Sequence, residues 1–248
     1  TVDQPGPAQN IQANDALFSA NTGVHNGQLY AVHSIEDMGL AAVRFMRTDV
    51  QTGTVLENSI IVDPMSRALT FPSIAVNEFD NVVIGVTGTS TTESASSYAM
   101  IGKTVGGITS FDVPMLLKAG TDEYVRLDSL GRNRWGDYSA TTVDPADPSI
   151  FWTVQEFVHL ANNAGTQVTE LIVPQSNEAR WANTVSNSPF DDPTMWQTSH
   201  GGLPQPLERL VFSRAPDPAG ISMTIDFPIQ PPGTYVYDSA SIRQGDIR

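Results

Sequence analysis

The 248-residue chain contains no cysteine, and this absence excludes several kinds of chemistry at once. Without cysteine there are no disulfides, no thiolate nucleophiles and no cysteine-ligated zinc, so a bound metal must be held by oxygen or imidazole. The four histidines show neither the H-x-x-x-H nor the H-E-x-x-H spacing of zinc sites. A G-x-S-x-G nucleophile elbow is also missing, so a Ser-His-Asp hydrolase of that type is excluded.

Basic residues are scarce as well. Thirteen Lys and Arg stand against 27 Asp and Glu, which gives a formal net charge of −14. A chain of this sign repels phosphate backbones and anionic lipid, so we expect no nucleic-acid partner. No apolar run approaches the roughly 18 residues of a transmembrane helix, and the sequence predicts no membrane span. The acidic, Lys-poor composition, rich in Thr, Ser, Asn and Gly, is typical of a secreted or extracellular protein.

Both ends of the sequence indicate a mature or trimmed product. The chain begins TVDQPGPAQN, without an initiator Met or a signal segment, and ends abruptly at SIRQGDIR. Residues 1–14 are predicted to form an extended N-terminal arm. Residues 176–248 are dense in Pro, Gly and Asp, and we expect a last blade or a small β appendage there.

Signals for helix are weak along the whole chain. The best candidate is VPMLLKAGTDEY, residues 113–124, which predicts one or two short turns of helix. Elsewhere, Gly, Pro, Asn and Asp interrupt runs of β-branched and aromatic residues at roughly the spacing of 8 to 12 residues seen in all-β folds. The chain is therefore predicted to be all-β.

Three segments repeat one pattern of an aromatic residue, a serine, a short strand, a polar turn and a second strand. The serines are Ser19, Ser73 and Ser139, separated by 54 and 66 residues. The segments are FSANTGVHNGQLYAVHSI, FPSIAVNEFDNVVIGVTGT and DYSATTVDPADPSIFWTVQEF. A third strand follows each, which is the winding of a propeller blade, and the spacing is somewhat above the roughly 40 to 50 residues of typical blades. We therefore interpret residues 15–175 as three blade-like repeats.

The stretches RWGDYSATTVDPADPSIFWTVQEF and FPSIAVN followed by VVIGVTGTS resemble the repeats of secreted bacterial sialidase-like, or BNR-like, β-propeller proteins. The resemblance implies a propeller-like array of antiparallel four-stranded blades. Three blades do not close a ring that typically needs four to eight. The chain is thus expected to be part of a larger or multi-chain propeller, with further blades from the same precursor, from other subunits or from the last 70 or so residues. The sialidase Asp-box, S-x-D-x-G-x-T-W, is absent.

The stretch RWGDYSATTVDP allows two interpretations. In the structural one, Trp135 and Tyr138 wedge between neighbouring sheets, and Asp137 caps a turn or pairs with Arg134. In the functional one, these residues face a central pocket, where Arg134 binds a carboxylate or sulfate and Trp135 stacks on a sugar. Tyr138 and Trp152 complete the set of candidate ligand-binding residues.

Glu156 is the first candidate for catalysis. A period of two places it on one strand face with Trp152 and Val154, while Phe151 and Gln155 lie on the other. A carboxylate on a mostly apolar face has a raised pKa, as a general acid requires, unless it is paired or lies at the rim. Asp137 is the second candidate acid or base.

Close pairs of carboxylates predict a possible site for Ca²⁺. DPADPS supplies Asp144 and Asp147, and FDDPT supplies Asp191 and Asp192. Oxygen-only ligands suit calcium, but neither stretch matches an EF-hand loop. The alternative is ordinary Asp-Pro turn chemistry, in which Asp accepts backbone N–H bonds.

Two functions follow from these features. The first is a secreted, non-catalytic β-propeller module that binds a glycan or an extracellular protein surface. The alternative is a glycan-cleaving hydrolase or lyase with its site at the propeller centre, using Glu156 or Asp137 as acid or base and Arg134 to orient an anionic sugar. The missing Asp-box favours the binding module.

Overall fold

The computed structural model describes residues 1–6, 9–13, 16, 18, 20–136, 138–173, 178–181, 193–198 and 209–211. Within these ranges the chain forms strands, and its one helical element is a single 3-10 turn, Pro193–Met195. The all-β expectation is confirmed. The described part contains no helix with the length and apolarity that a membrane crossing requires.

Three antiparallel sheets follow one another along the chain, and each contains one of the predicted repeats. The first sheet has the order β1 (Gly23–His25), β2 (Gln28–Asp37), β3 (Leu40–Asp49) and β4 (Val55–Ile61). The middle sheet has the order β5 (Ala68–Val76), β6 (Asn81–Ser90), β7 (Glu93–Val105) and β8 (Ile108–Phe111), and β9 (Met115–Lys118) also pairs with β7. The third sheet has the order β10 (Ala140–Val143), β11 (Ile150–Leu160) and β12 (Asn163–Ile172).

The middle sheet is buried on both faces. Its strands read as nearly continuous apolar runs, the pattern expected of a sheet covered on both sides. On one face, Leu69, Ile84 and Met100 form a core cluster with Tyr30 and Phe45 of the first sheet. This apolar layer fixes the packing of the first two sheets.

A polar layer covers the opposite face of the middle sheet. The hydroxyls of Ser73 and Thr141 lie 2.7 Å apart, and Gln155 Nε2 donates to Ser73 Oγ at 3.0 Å. Gly85 lies beneath this layer, where an added Cβ would collide with the side chains of Gln155 and Thr153. The missing side chain lets the third sheet approach the middle one closely.

Phe71, on β5, connects all three sheets at one end of the strands. Its N–H donates to Ser34 Oγ of the first sheet at 3.2 Å, and its carbonyl accepts from Ser139 Oγ, just before the third sheet, at 2.6 Å. The residue has a φ of +50°, which is rare for a bulky side chain, and it lies in a β-bulge. The hydrogen bonds from both sides hold this conformation.

The hairpins at the other end of the strands are joined in the same order. His25 Nε2 lies 3.4 Å from Asp80 Oδ1, which links the first and middle sheets. Asn77 Nδ2 donates to the carbonyl of Pro148 at 2.8 Å, which links the middle and third sheets. The three repeats therefore fold as separate sheets stacked in chain order.

The sheets differ from the expected uniform blades. They contain four, five and three strands, and none of them closes on itself within the described residues. Residues Thr1–Leu171 form one compact unit, and Ile172–Arg248 form a second. In the second unit, β13 (Glu178–Trp181) pairs antiparallel with β14 (Trp196–Thr198) and parallel with β15 (Arg209–Val211), so this small sheet is mixed.

The helix predicted from VPMLLKAGTDEY is wrong, because part of this segment forms β9. Leu116 pairs with Tyr98 of β7. Strand β7 is 13 residues long, and β8 covers only its C-terminal part, so its remaining edge offers hydrogen-bond partners. Pro114 and Gly120 leave only five residues between them, too few for a stable isolated helix. The segment therefore forms a strand that pairs with β7 and not a helix.

Candidate functional site

The long connection between β9 and β10, residues 119–139, is held in place by the N-terminal segment. Tyr124 N–H donates to Gln4 Oε1, and Gln4 Nε2 donates back to the Tyr124 carbonyl, both at 2.8 Å. Asn133 Nδ2 donates to the same carbonyl at 2.6 Å and to the Gln9 carbonyl at 2.9 Å. Connections of this length inside a compact unit are usually functional when they are ordered.

The third sheet holds the other side of the same connection. Thr121 N–H donates to the carbonyl of Val158 at 2.9 Å, near the end of β11. The turn between β11 and β12 supplies Asn162, whose Oδ1 accepts from the N–H of Val125 at 2.6 Å. The connection is therefore fixed from two sides.

Residues 126–134 form a small hairpin within this connection, which we call the arginine hairpin. Leu127 and Asn133 form an antiparallel bridge, and Arg134 N–H donates to the Arg126 carbonyl at 3.0 Å. At the tip, Asp128 Oδ1 accepts from the backbone N–H groups of Leu130 and Arg132, at 2.9 and 3.0 Å. The hairpin is thus built by both strand pairing and an Asp-capped turn.

The arginine hairpin concentrates positive charge in an acidic chain. It contains three of the 13 basic residues and one acidic residue, so it carries a net charge of +2 (3 − 1). Arg126 and Arg134 are directly opposite, which places their side chains on one face, and Arg134 Nη1 donates to Gln12 Oε1 at 3.3 Å. Arg132 is paired with Asp128 at 2.7 Å, and its hydrogen bonds lower the pKa of Asp128 to about 2.

Trp135 belongs to the core and does not offer a ring face to a ligand. It is buried and packs edge-on against Tyr124, with ring centroids 4.9 Å apart. Burial raises the pKa of Tyr124, while the nearby charge of Arg126 lowers it and that of Glu156 raises it.

Glu156 lies under the connection, beside Gly136. Its side chain is partly buried on β11, and a Cβ added to Gly136 would collide with its carboxylate. The alternation predicted for β11 is present, since Phe151 and Gln155 are buried while Trp152 and Glu156 are partly exposed. In the sequence R-W-G, Arg134 therefore belongs to the charged hairpin, the ring of Trp135 lies in the core, and Gly136 passes over the Glu156 carboxylate.

Tyr138 is the exposed aromatic residue of this region. The residue is 79% exposed, and it lies two positions before β10. The hydrogen bond from Ser139 to Phe71 fixes the backbone next to it. Asp137, the second candidate for catalysis, lies outside the described residues.

Trp152 lies at the other end of the third sheet. Its Nε1 donates to Asp144 Oδ2 at 2.9 Å, in the turn between β10 and β11. Trp152 and Glu156 share a strand face, but four residues of strand separate them by about 13 Å. Trp152 is therefore not grouped with Arg134 and Tyr138.

The two described candidates for calcium binding both accept backbone hydrogen bonds. Asp144 Oδ1 accepts from Ala146 N–H at 2.7 Å, and Asp147 Oδ1 accepts from Ser149 N–H at 3.0 Å. These are the contacts of Asp-Pro turns. The described part of the chain contains no group of three His, Asp or Glu residues able to hold a metal, and Asp191 and Asp192 lie outside it. Calcium binding stays a prediction.

A buried ionic cluster between the first and middle sheets was not found from the sequence. Arg67 donates to Asp63 and, through Nη1, to Tyr98 Oη at 2.6 Å, and the Tyr98 hydroxyl donates to Glu93. Burial and the Glu93 carboxylate raise the pKa of Tyr98 to about 12. The Tyr98 phenol is therefore neutral and fully buried, and its hydrogen bonds stabilise the fold. The linker before β5 and strand β7 supply the members of the cluster, and only tertiary packing brings the linker against the strand.

Comparisons of this chain with protein-family models, with curated proteins and with solved structures found no match. The arrangement around the arginine hairpin must therefore be interpreted from its own geometry and charge.

Proposed function

We propose that this chain is a non-catalytic module of a secreted β-propeller protein and that it binds an anionic glycan, or another extracellular surface with carboxylate or sulfate groups. The observation that carries the proposal is the position of Arg126 and Arg134, directly opposite each other in an anchored hairpin. Exposed Tyr138 follows on the same connection.

The stacking of the sheets supports the propeller part of the proposal. The middle sheet is covered on both faces, as an internal blade is, and Phe71 joins strands of successive sheets. On this proposal, β1, β5 and β10 are the inner strands. Further blades come from a longer precursor or from other subunits.

The chemistry of the arginine hairpin supports an anionic ligand. A guanidinium group binds a carboxylate or sulfate through two parallel hydrogen bonds, and Arg126 and Arg134 place two such groups on one face of the hairpin. The ring of Tyr138 offers an apolar face and a hydroxyl, which suit a sugar. Because the connection is anchored on two sides, little conformational entropy is lost when a ligand binds.

The catalytic alternative lacks a specific observation in its favour. Glycoside hydrolysis uses two carboxyl groups roughly 5 to 9.5 Å apart. Glu156 lies against the backbone at Gly136, where it supports the connection. The other candidate acid or base, Asp137, is outside the described residues. The binding module is therefore the function that we propose.

Binding to defined glycans tests the proposal. We would screen sulfated, uronate-containing, sialylated and neutral glycans on an array and measure the affinity of the best ligand by calorimetry. Arg126→Ala and Arg134→Ala should each weaken binding about tenfold or more, because each removes a charge-assisted contact. Lys103→Ala, on β7, is the matched control and should bind like the native chain.

Three results would contradict the proposal. Binding to neutral glycans alone would show that the two arginines do not bind an anionic group of the ligand. Equal loss of affinity in the Lys103→Ala control would indicate a general charge effect. Release of product from a fluorogenic sialoside or from any polysaccharide in the panel would show an enzyme.

A further inference from the structure

The outer edge of β4 is open in the part of the chain that the structure describes. Strand β4 pairs with β3 on one side, and within the described ranges no strand pairs with its other side. Such an edge presents unpaired backbone N–H and C=O groups that can pair with another strand. Proteins usually protect these edges with Lys, Pro, bulges or very short strands.

Strand β4 has little of this protection. Its seven residues, VLENSII, include neither Lys nor Pro, and its one bulge lies near the N-terminal end, so residues 57–61 remain in regular register with β3. Strands β8 and β9, which are also outer strands, are better protected. Strands β8 and β9 have four residues each, Pro114 precedes β9, and Lys118 ends it. Strand β12 carries an exposed carboxylate, Glu170.

The exposed residues of β4 are apolar at both ends and polar at the centre. Leu56 and Ile60 are 42% and 44% exposed, and exposed Asn58 lies midway between them. If a second copy of the strand pairs antiparallel with its centre at Asn58, Leu56 of each copy lies opposite Ile60 of the other. Apolar residues that are directly opposite stabilise strand pairing.

The charge of β4 is compatible with pairing between two copies. Two chains of net charge −14 repel each other in general, but Glu57 is the one charged residue of this strand. Its carboxylate lies 3.3 Å from Arg47 Nη2 and accepts from Thr109 N–H and Oγ1, both at 2.9 Å. The edge is thus locally neutral.

We propose that two copies of this chain associate through β4, antiparallel and centred on Asn58. The two first sheets then form one continuous sheet across a two-fold axis, and because both copies use the same surface, association stops at the dimer. The partner is a second copy of this chain, selected by the near-palindromic order of residues along β4. The proposal does not depend on the ligand of the arginine hairpin.

The mass of the full chain in solution tests the proposal. Light scattering across a concentration series should show twice the chain mass of 26.8 kDa. Ile60→Lys should give a monomer, because it replaces the apolar residue opposite Leu56 with a charge on both sides of the two-fold axis. Val168→Lys is the control, since Val168 is 56% exposed on outer strand β12, and it should remain a dimer. A monomeric native chain, a dimeric Ile60→Lys variant, or dissociation in both variants would overturn the proposal.

Cross-linking provides a second test that does not depend on a destabilising charge. The native chain has no cysteine, so Asn58→Cys introduces a single thiol that meets its own copy across the axis. Cα atoms of directly opposite residues lie about 4.5 to 5.5 Å apart, within disulfide range. Mild oxidation should give a covalent dimer for Asn58→Cys and none for Thr166→Cys on β12. Equal cross-linking at both positions, or none at Asn58→Cys, would overturn the predicted register.

Discussion

Arg67 Nη1 donates a 2.6 Å hydrogen bond to Tyr98 Oη, and this bond joins the linker before β5 to the middle of β7. The same guanidinium lies 4.4 Å from the centre of the Tyr98 ring and pairs with Asp63. Tyr98 is fully buried in the core between the first and middle sheets. One phenol therefore combines apolar packing with a buried ionic network.

Tyr98→Phe should destabilise the chain by about 1 to 3 kcal/mol. The substitution keeps the ring but removes the hydroxyl that accepts from Arg67 and donates to Glu93, which leaves partly buried charged groups with fewer partners. Urea denaturation followed by circular dichroism measures the effect. Tyr138→Phe, at an exposed position, is the matched control and should leave the midpoint unchanged. Equal stability of the two variants would show that the network contributes little.

The same phenol predicts a loss of stability at alkaline pH. The pKa of Tyr98 is raised from its ordinary value of 10.0 to about 12, so the folded chain holds this proton more tightly than the unfolded chain does. The contribution is fully present below pH 10 and is lost as the pH rises through about 12. A difference titration at 295 nm, native minus Tyr98→Phe, should show one ionisation near pH 12. A difference step near pH 10 would contradict the buried position.

The sequence predicts much of this fold because local signals and tertiary packing agree in the repeats. The segments around Ser73 and Ser139 alternate turn formers with β-branched runs, and each becomes part of an antiparallel sheet. The number of strands in each sheet was not predictable, because β9 forms only where β7 extends beyond β8. An edge left open by one strand is a tertiary feature that local composition does not encode.

The candidate site could be predicted only in part. The stretch around Trp135 attracted attention through its composition, but the sequence alone did not distinguish its buried ring from the exposed ring of Tyr138. Arg126 was missed, because its position opposite Arg134 depends on the turn formed by residues 128–131. A sequence signal existed in the spacing of R-L-D-S-L-G-R-N-R, in which Asp and Gly are separated as in a hairpin turn.

The two serines that hold Phe71 should each contribute measurably to stability. Ser34→Ala removes the acceptor of the Phe71 N–H, and Ser139→Ala removes the donor to its carbonyl. Each loss should lower the free energy of unfolding by about 1 kcal/mol. Ser129→Ala, at an exposed position in the arginine hairpin, is the control and should have no such effect. Hydrogen exchange at the Phe71 amide should accelerate in Ser34→Ala alone, and unchanged exchange there would contradict the bond.

The contact between Gly136 and Glu156 makes it possible to test whether this carboxylate supports the connection or takes part in catalysis. Gly136→Ala places a Cβ against the Glu156 carboxylate, so this carboxylate must move away or the connection must shift, with a loss of about 1 kcal/mol in stability. Glu156→Ala removes the obstacle, and the double variant should therefore be more stable than the sum of the single effects predicts. Urea denaturation of the four chains gives this coupling, and additive effects would show that the two residues do not touch. If Glu156 only supports the connection, Glu156→Ala should also keep most of the glycan affinity, because Arg126 and Arg134 remain anchored by the N-terminal segment through Asn133.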